Sequence, residues 1–114
     1  MNDNNSIDLA VVETLKGLMK DKFNFLITTF IDNANSQLEQ LQTAINSNEV
    51  KDIIALTHSM KGSSGSVGAS KMHVLCKSYE EMARNDQLDD KDSWADNLKN
   101  EYNLYIQEIQ SHMQ

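Results

Sequence analysis

The sequence contains no proline, only four glycines and a single cysteine among its 114 residues. Turn-rich all-β domains need many prolines and glycines, so this composition argues against that class of fold. One cysteine cannot form a disulfide within the chain, which fits a reducing compartment. A chain of this length can bury a core without disulfides or a metal ion, and we predict a single domain spanning residues 1–114.

Basic residues are also scarce, since ten Lys+Arg stand against seventeen Asp+Glu and the formal net charge is −7. This balance is a poor electrostatic match for nucleic acid or anionic lipid, so we expect neither as a partner. No apolar run approaches the ~18 residues of a membrane span. The polar N-terminus, Met1–Ser6, lacks the basic and apolar regions of a targeting segment. We therefore expect a cytosolic protein.

Apolar residues recur every three or four positions in four long segments, which follow one short segment. This spacing is typical of amphipathic helices, and the clearest of them runs from Phe23 to Ile45. Short connections favour antiparallel packing of neighbouring helices. The predicted fold class is all-α, an antiparallel up-down-up-down four-helix bundle with a short additional N-terminal helix. We expect a monomer, because no helix is apolar on two faces.

Several residues mark the predicted helix ends. Gly17 is predicted to end the first helix, and Gly68 suits the left-handed position that ends the third. Ser70 is a candidate cap of the fourth helix, and Ser93 with Asp96 forms a candidate capping box for the fifth.

Three of the four glycines lie between positions 62 and 68. A glycine inside a helix costs about 0.8–1 kcal/mol relative to alanine, so Gly62 and Gly65 weaken the third helix without an obvious gain. At about 100° per residue, His58 shares one helix face with Lys61, Gly62 and Gly65, apart from the apolar stripe. The sequence therefore places an imidazole beside a cation, on a surface cleared of side chains that a partner can approach closely.

Other site types fail on spacing. In a Walker phosphate loop the lysine follows the glycines, whereas here Lys61 precedes them. A dinucleotide-binding fingerprint needs a preceding strand, and a hydrolase nucleophile elbow needs a Gly-x-Ser-x-Gly turn between strand and helix. The three histidines, His58, His73 and His112, are too scattered to bind a metal ion together. We expect His73 and His112 to face solvent and Cys76 to belong to the core.

The run His58-Ser59-Met60-Lys61-Gly62-Ser63-Ser64, followed by Gly68-Ala69, resembles the signature of histidine phosphotransfer (HPt) domains of bacterial multistep phosphorelays. The continuation Leu75-Cys76-x-x-Tyr79-Glu80-x-x-x-Arg84 is similar to the next helix of that family. Met60 and Tyr79 replace leucines that are usual in the family, and both are tolerable apolar changes. The length and the order of helices also match, so the resemblance covers nearly the whole chain.

The resemblance implies that His58 accepts a phosphoryl group from the aspartyl-phosphate of one receiver domain and passes it to another. Lys61 would offset the phosphate charge, and Gly62 would leave room for in-line approach. The implied partners are response-regulator receiver domains or a hybrid histidine kinase. The chain would be a phosphocarrier without kinase activity of its own and without a cofactor, and the Mg²⁺ would sit in the receiver.

Glu80 has two readings. Family members often have a polar residue on the neighbouring helix that contacts the second imidazole nitrogen, and Glu80 in that place would accept the Nδ1 proton and free Nε2. Alternatively, Glu80 and Arg84 form a solvated surface pair at i and i+4. Two other functions also stay open: a helical adaptor in which His58 is incidental, and the phosphoacceptor region of a histidine kinase.

Overall fold

The computed structural model describes residues 6–113, so residues 1–5 and 114 of the predicted domain lie outside it. Within this range the chain is helical, with turns but no strand. The helices are α1 (Leu9–Met19), α2 (Phe23–Asn46), α3 (Val50–Ser66), α4 (Ser70–Arg84) and α5 (Trp94–Ile109), with 3₁₀ turns at Lys20–Lys22, Lys91–Ser93 and Gln110–His112. The predicted all-α class is confirmed.

The four long helices, α2 to α5, form the bundle. In it α3 packs between α2 and α4, and α5 closes the ring by packing against α4 and α2. The core lies along the inward-facing apolar residues of the helices, and on α2 it consists of Phe23, Ile27, Phe30, Ala34, Leu38, Leu41, Ala44 and Ile45. Leu26 and Ile31, which belong to the apolar spacing of the same helix, are only half-buried. None of the helices described here is long and apolar enough to cross a membrane.

Helix α1 covers the end of the bundle where α3 turns into α4. Gly68 stands in this turn with φ +78°, the left-handed value predicted for it. Its carbonyl accepts a hydrogen bond from the backbone N–H of Asp8 at 2.7 Å. Asp8 also caps α1, because its side chain accepts from the N–H of Val11 at 3.3 Å. Val12 is fully buried against the same turn, which makes α1 part of the core.

Two predicted helix ends and one predicted capping bond are wrong. Helix α1 continues past Gly17 to Met19, which still packs against the core, and the left-handed residue is Lys20. The flanking residue of α4 is Ala69 rather than Ser70. Ser93 makes no capping bond, because the preceding 3₁₀ turn leads directly into α5 and the Ser93 hydroxyl donates to the carbonyl of Asp90 instead. Local signals were outweighed here by packing and by the adjoining turns.

Gly68→Ala should destabilise the fold. A side chain at this position must adopt a left-handed conformation, which costs about 1–2 kcal/mol, and its Cβ would lie 3.0 Å from Val12 and 3.2 Å from the Asp8 carbonyl oxygen. Gly17→Ala is the matched control, because a Cβ there meets nothing within 4 Å inside a helix. Urea unfolding followed by circular dichroism should show a loss for Gly68→Ala and a gain of up to about 1 kcal/mol for Gly17→Ala. Equal effects would contradict this account of the turn.

Candidate functional site

His58 lies in the middle of α3 on its solvent side. The buried stripe of this helix is Ile53, Thr57, Met60 and Ser64. Thr57 can be buried because its hydroxyl donates to the carbonyl of Ile53 at 2.8 Å. The His58 side chain points away from this stripe and is 62% exposed. The imidazole is therefore held on a rigid helix and presented at the surface.

Gly62 and Gly65 have different surroundings, although the sequence placed them together on a cleared face. A Cβ at Gly62 would meet nothing within 4 Å, so the surface one turn after His58 is open as predicted. A Cβ at Gly65 would lie 2.9 Å from Nδ1 of His73, a residue of α4. The open face therefore includes Gly62, whereas Gly65 is covered by the neighbouring helix.

Glu80 of α4 connects the predicted site residues. Its side chain is almost completely buried, with 5% of the residue exposed. Oε2 lies 3.0 Å from Nδ1 of His58, and Oε1 lies 2.8 Å from Nζ of Lys61. Arg84, one turn further along α4, donates to Oε2 from Nε at 3.0 Å and from Nη2 at 2.8 Å. One carboxylate thus binds the imidazole and two cations.

Both readings of Glu80 were partly right. The ion pair with Arg84 is present, but it is not a solvated surface pair, since the carboxylate is buried between α3 and α4. The contact with His58 is present in the same arrangement. The two contacts share one oxygen, so they act together instead of excluding each other.

The cations around Glu80 set its ionisation. The hydrogen bond from Lys61 lowers the pKa of Glu80, burial opposes it, and the hydrogen bonds from Arg84 and His58 add to the lowering, which leaves the pKa at about 2. The carboxylate is therefore ionised at neutral pH and can only accept hydrogen bonds. It follows that Nδ1 of His58 carries the proton in this contact, and that Nε2 of the neutral ring has a free lone pair. Such a ring can act as a nucleophile through Nε2.

The remaining candidates have structural surroundings. Cys76 is fully buried, and burial together with the charge of Glu80 raises the pKa of its thiol to about 12, so it is the inert core residue that was predicted. The expectation that His73 and His112 face solvent was wrong, because both are half-buried. His73 packs on Gly65, and His112 lies 3.6 Å from Oε2 of Glu13.

Residues 6–113 contain no group of three or more His, Cys, Asp or Glu that could hold a metal ion. The carboxylate nearest to His58 is already occupied by a lysine and an arginine. The site presents an exposed imidazole whose Nδ1 contacts Glu80, an adjacent lysine and an open surface at Gly62.

Comparisons with known proteins find a family and a solved structure to which this chain is similar. The family model described as Hpt domain matches residues 26–112. The crystal structure of histidine-containing phosphotransfer protein B (HptB) from Pseudomonas aeruginosa PAO1 is similar to this chain, with a TM-score of 0.87 and 26% sequence identity over 96% of this chain and 98% of that one. Comparison with curated proteins gives no match.

The contacts of Glu80 with His58, Lys61 and Arg84 should make the free energy of unfolding depend on pH in the acid range. With a folded-state pKa of about 2 against 4.5 in the unfolded chain, Glu80 stabilises the fold above about pH 5, and this contribution is lost as the pH falls towards 2. The free energy of unfolding of the wild type should exceed that of Glu80→Gln at pH 7, and the gap should narrow between about pH 5 and 2. Urea unfolding measures the gap. The exposed neighbour Glu81→Gln controls for net charge, and a gap that stays constant with pH would contradict the assignment.

Proposed function

Because the chain belongs to the Hpt domain family, and so has a role in a phosphorelay, we propose that His58 is its phosphoacceptor. In this proposal His58 takes a phosphoryl group from the aspartyl-phosphate of one receiver domain and passes it to another. The observation that carries the proposal is the 3.0 Å contact between Nδ1 of His58 and the buried, ionised Glu80, on a ring whose side chain is 62% exposed. This contact prepares Nε2 for attack.

The proposed transfer balances within the two proteins. The lone pair of His58 Nε2 attacks the phosphorus of the aspartyl-phosphate, an N–P bond forms, and the P–O bond to the receiver carboxylate breaks. The carboxylate leaves with the electron pair, and no proton has to depart from Nε2, since the ring proton is on Nδ1. The phosphorylated ring is cationic, and the carboxylate of Glu80 stabilises that charge through Nδ1–H. Reversal of these steps delivers the phosphoryl group to the second receiver.

Lys61 and Gly62 are proposed to act on the phosphoryl group and on its approach. Lys61 Nζ is held 2.8 Å from Oε1 of Glu80, so the phosphoryl oxygens arrive beside an ammonium already positioned by the fold. Its part is moderate, because a partly exposed charge contributes about 1 kcal/mol. Gly62 leaves open the space that the receiver carboxylate must cross.

Partners and cofactors follow the same proposal. The donor and acceptor are receiver domains of response regulators or of a hybrid histidine kinase, and Mg²⁺ is bound by the receiver. The chain has no kinase activity of its own, so ATP alone should not label it. We also propose that it acts as a monomeric, single-domain carrier in the cytosol, without nucleic acid or membrane as partner.

His58→Gln should abolish labelling by phosphorylated receivers, because no other exposed imidazole is paired with a buried carboxylate in residues 6–113. The wild type and the control His112→Gln should both gain an acid-labile, alkali-stable phosphoryl group, detected by mass spectrometry and by its stability in alkali. Labelling of His58→Gln at the wild-type rate would overturn the assignment. A wild type that no receiver labels would instead favour the adaptor function.

Gly62→Gln should slow phosphotransfer from a receiver severalfold or more while stabilising the fold. The added side chain projects into the open approach beside His58, and replacing a helical glycine gains up to about 1 kcal/mol. Gly17→Gln is the matched control, because Gly17 is also an open helical glycine but lies on α1. It should gain similar stability and transfer phosphate normally. Normal transfer by Gly62→Gln would show that the approach does not need this clearance.

A further inference from the structure

His73 joins α4 to α3 at a point that the phosphoacceptor chemistry does not explain. Its Nδ1 lies 2.8 Å from the backbone carbonyl oxygen of Lys61. A carbonyl oxygen only accepts hydrogen bonds, so Nδ1 of His73 is the donor, and the neutral ring carries its proton there. A side chain on one helix thereby binds the backbone of the residue that supplies the lysine of the site.

Gly65 leaves the space that the His73 ring occupies. A Cβ at that position would lie 2.9 Å from Nδ1 of His73 and 3.3 Å from its Cε1, so the imidazole occupies the space that any larger residue would fill. The surrounding segment of α3, from Gly62 to Ser66, consists only of glycines and serines, none of which is a strong helix former. In it Ser64 and Ser66 donate back to the carbonyls of Met60 and Gly62. The external hydrogen bond from His73 therefore supports a weak stretch of helix.

The sequence spacing relates the contact between His73 and Gly65 to the contact between Glu80 and His58. Gly65 follows His58 by seven residues on α3, and His73 precedes Glu80 by seven residues on α4. Seven residues are two helical turns, so each pair lies on one face of its helix. Helices α3 and α4 pack side by side and run in opposite directions. The contact of His73 with Gly65 and the contact of Glu80 with His58 therefore form at the same axial alignment of the two helices.

We infer that His73 is a positioning residue for the phosphoacceptor. Its hydrogen bond to the Lys61 carbonyl holds α4 in the axial register at which Glu80 meets both His58 and Lys61. The expected effect of His73 on phosphotransfer rests on the proposed function, whereas the contacts of His73 do not depend on it. A slide of one helical turn, ~5.4 Å, would separate Glu80 from both partners.

The test measures the tautomer of His58. If His73 only stabilised the fold, replacing it would leave this tautomer unchanged. Ring nitrogen-15 chemical shifts of His58, recorded at alkaline pH on the neutral ring, should show the Nδ1-protonated form in the wild type. In His73→Leu the Nε2-protonated form should gain population, because Glu80 is no longer held opposite. His73→Asn should restore the wild-type spectrum, since its amide nitrogen replaces Nδ1 at the same distance from Cβ. A folded His73→Leu with wild-type His58 shifts would overturn the inference.

Gly65→Ala gives an independent variant if His73→Leu does not fold. The new Cβ displaces the His73 ring, so Gly65→Ala should change the His58 tautomer as His73→Leu does. On a His73→Ala background the same Gly65→Ala change should have no further effect on His58. Wild-type His58 shifts in a folded Gly65→Ala would contradict the packing of His73 on Gly65. An equal effect of Gly65→Ala in the wild-type and His73→Ala backgrounds would contradict it too.

Phosphotransfer separates this inference from the proposed function. Labelling of His58 by a phosphorylated receiver should slow about threefold to tenfold in His73→Leu, the range expected for one lost hydrogen bond, and recover in His73→Asn. An altered tautomer with an unchanged rate would overturn the positioning role. A wild type that no receiver labels would overturn the proposed function, while the nitrogen shifts would still decide whether His73 holds Glu80 against His58.

Discussion

The buried carboxylate of Glu80 is the constraint on which the site depends. An ionised carboxylate inside a protein is costly unless opposite charges and hydrogen bonds surround it. Here α3 supplies an imidazole N–H and an ammonium, and α4 supplies the guanidinium of Arg84. The same requirement therefore stabilises the contact between the two helices and fixes the state of His58. Removing Glu80 would affect the packing of α3 on α4 and the imidazole of His58 together.

The glycines of α3 divide their work between two directions. Gly62 faces solvent and leaves the surface beside His58 open, whereas Gly65 faces α4 and receives the ring of His73. Both weaken the helix that carries His58, and hydrogen bonds between α3 and α4 compensate for this at His58 and at the Lys61 carbonyl. The open surface beside His58 is thus held rigid by α4.

Most of the fold could be predicted because apolar spacing is a local property that burial later preserves. The stripe of α2 and the turn at Gly68 are both in the structure as expected. The errors lie near helix ends. Helix α1 continues past Gly17 because Met19 packs on the core, and Ala69 rather than Ser70 flanks α4. Ser93 does flank α5, but it makes no capping bond because a 3₁₀ turn leads into the helix. Helix ends are decided by whichever partner the free backbone groups find, and that partner is often distant in sequence.

By itself the sequence determined that His58, Lys61 and Gly62 share one helix face, since separations of three and four residues set their angles on any α-helix. It also made Arg84 a neighbour of Glu80, for the same reason. Only the tertiary structure decided that Glu80 is buried, that its oxygens meet His58 and Lys61, and that His73 sits on Gly65. These pairs lie on two helices, and their meeting depends on an axial register that neither helix encodes alone.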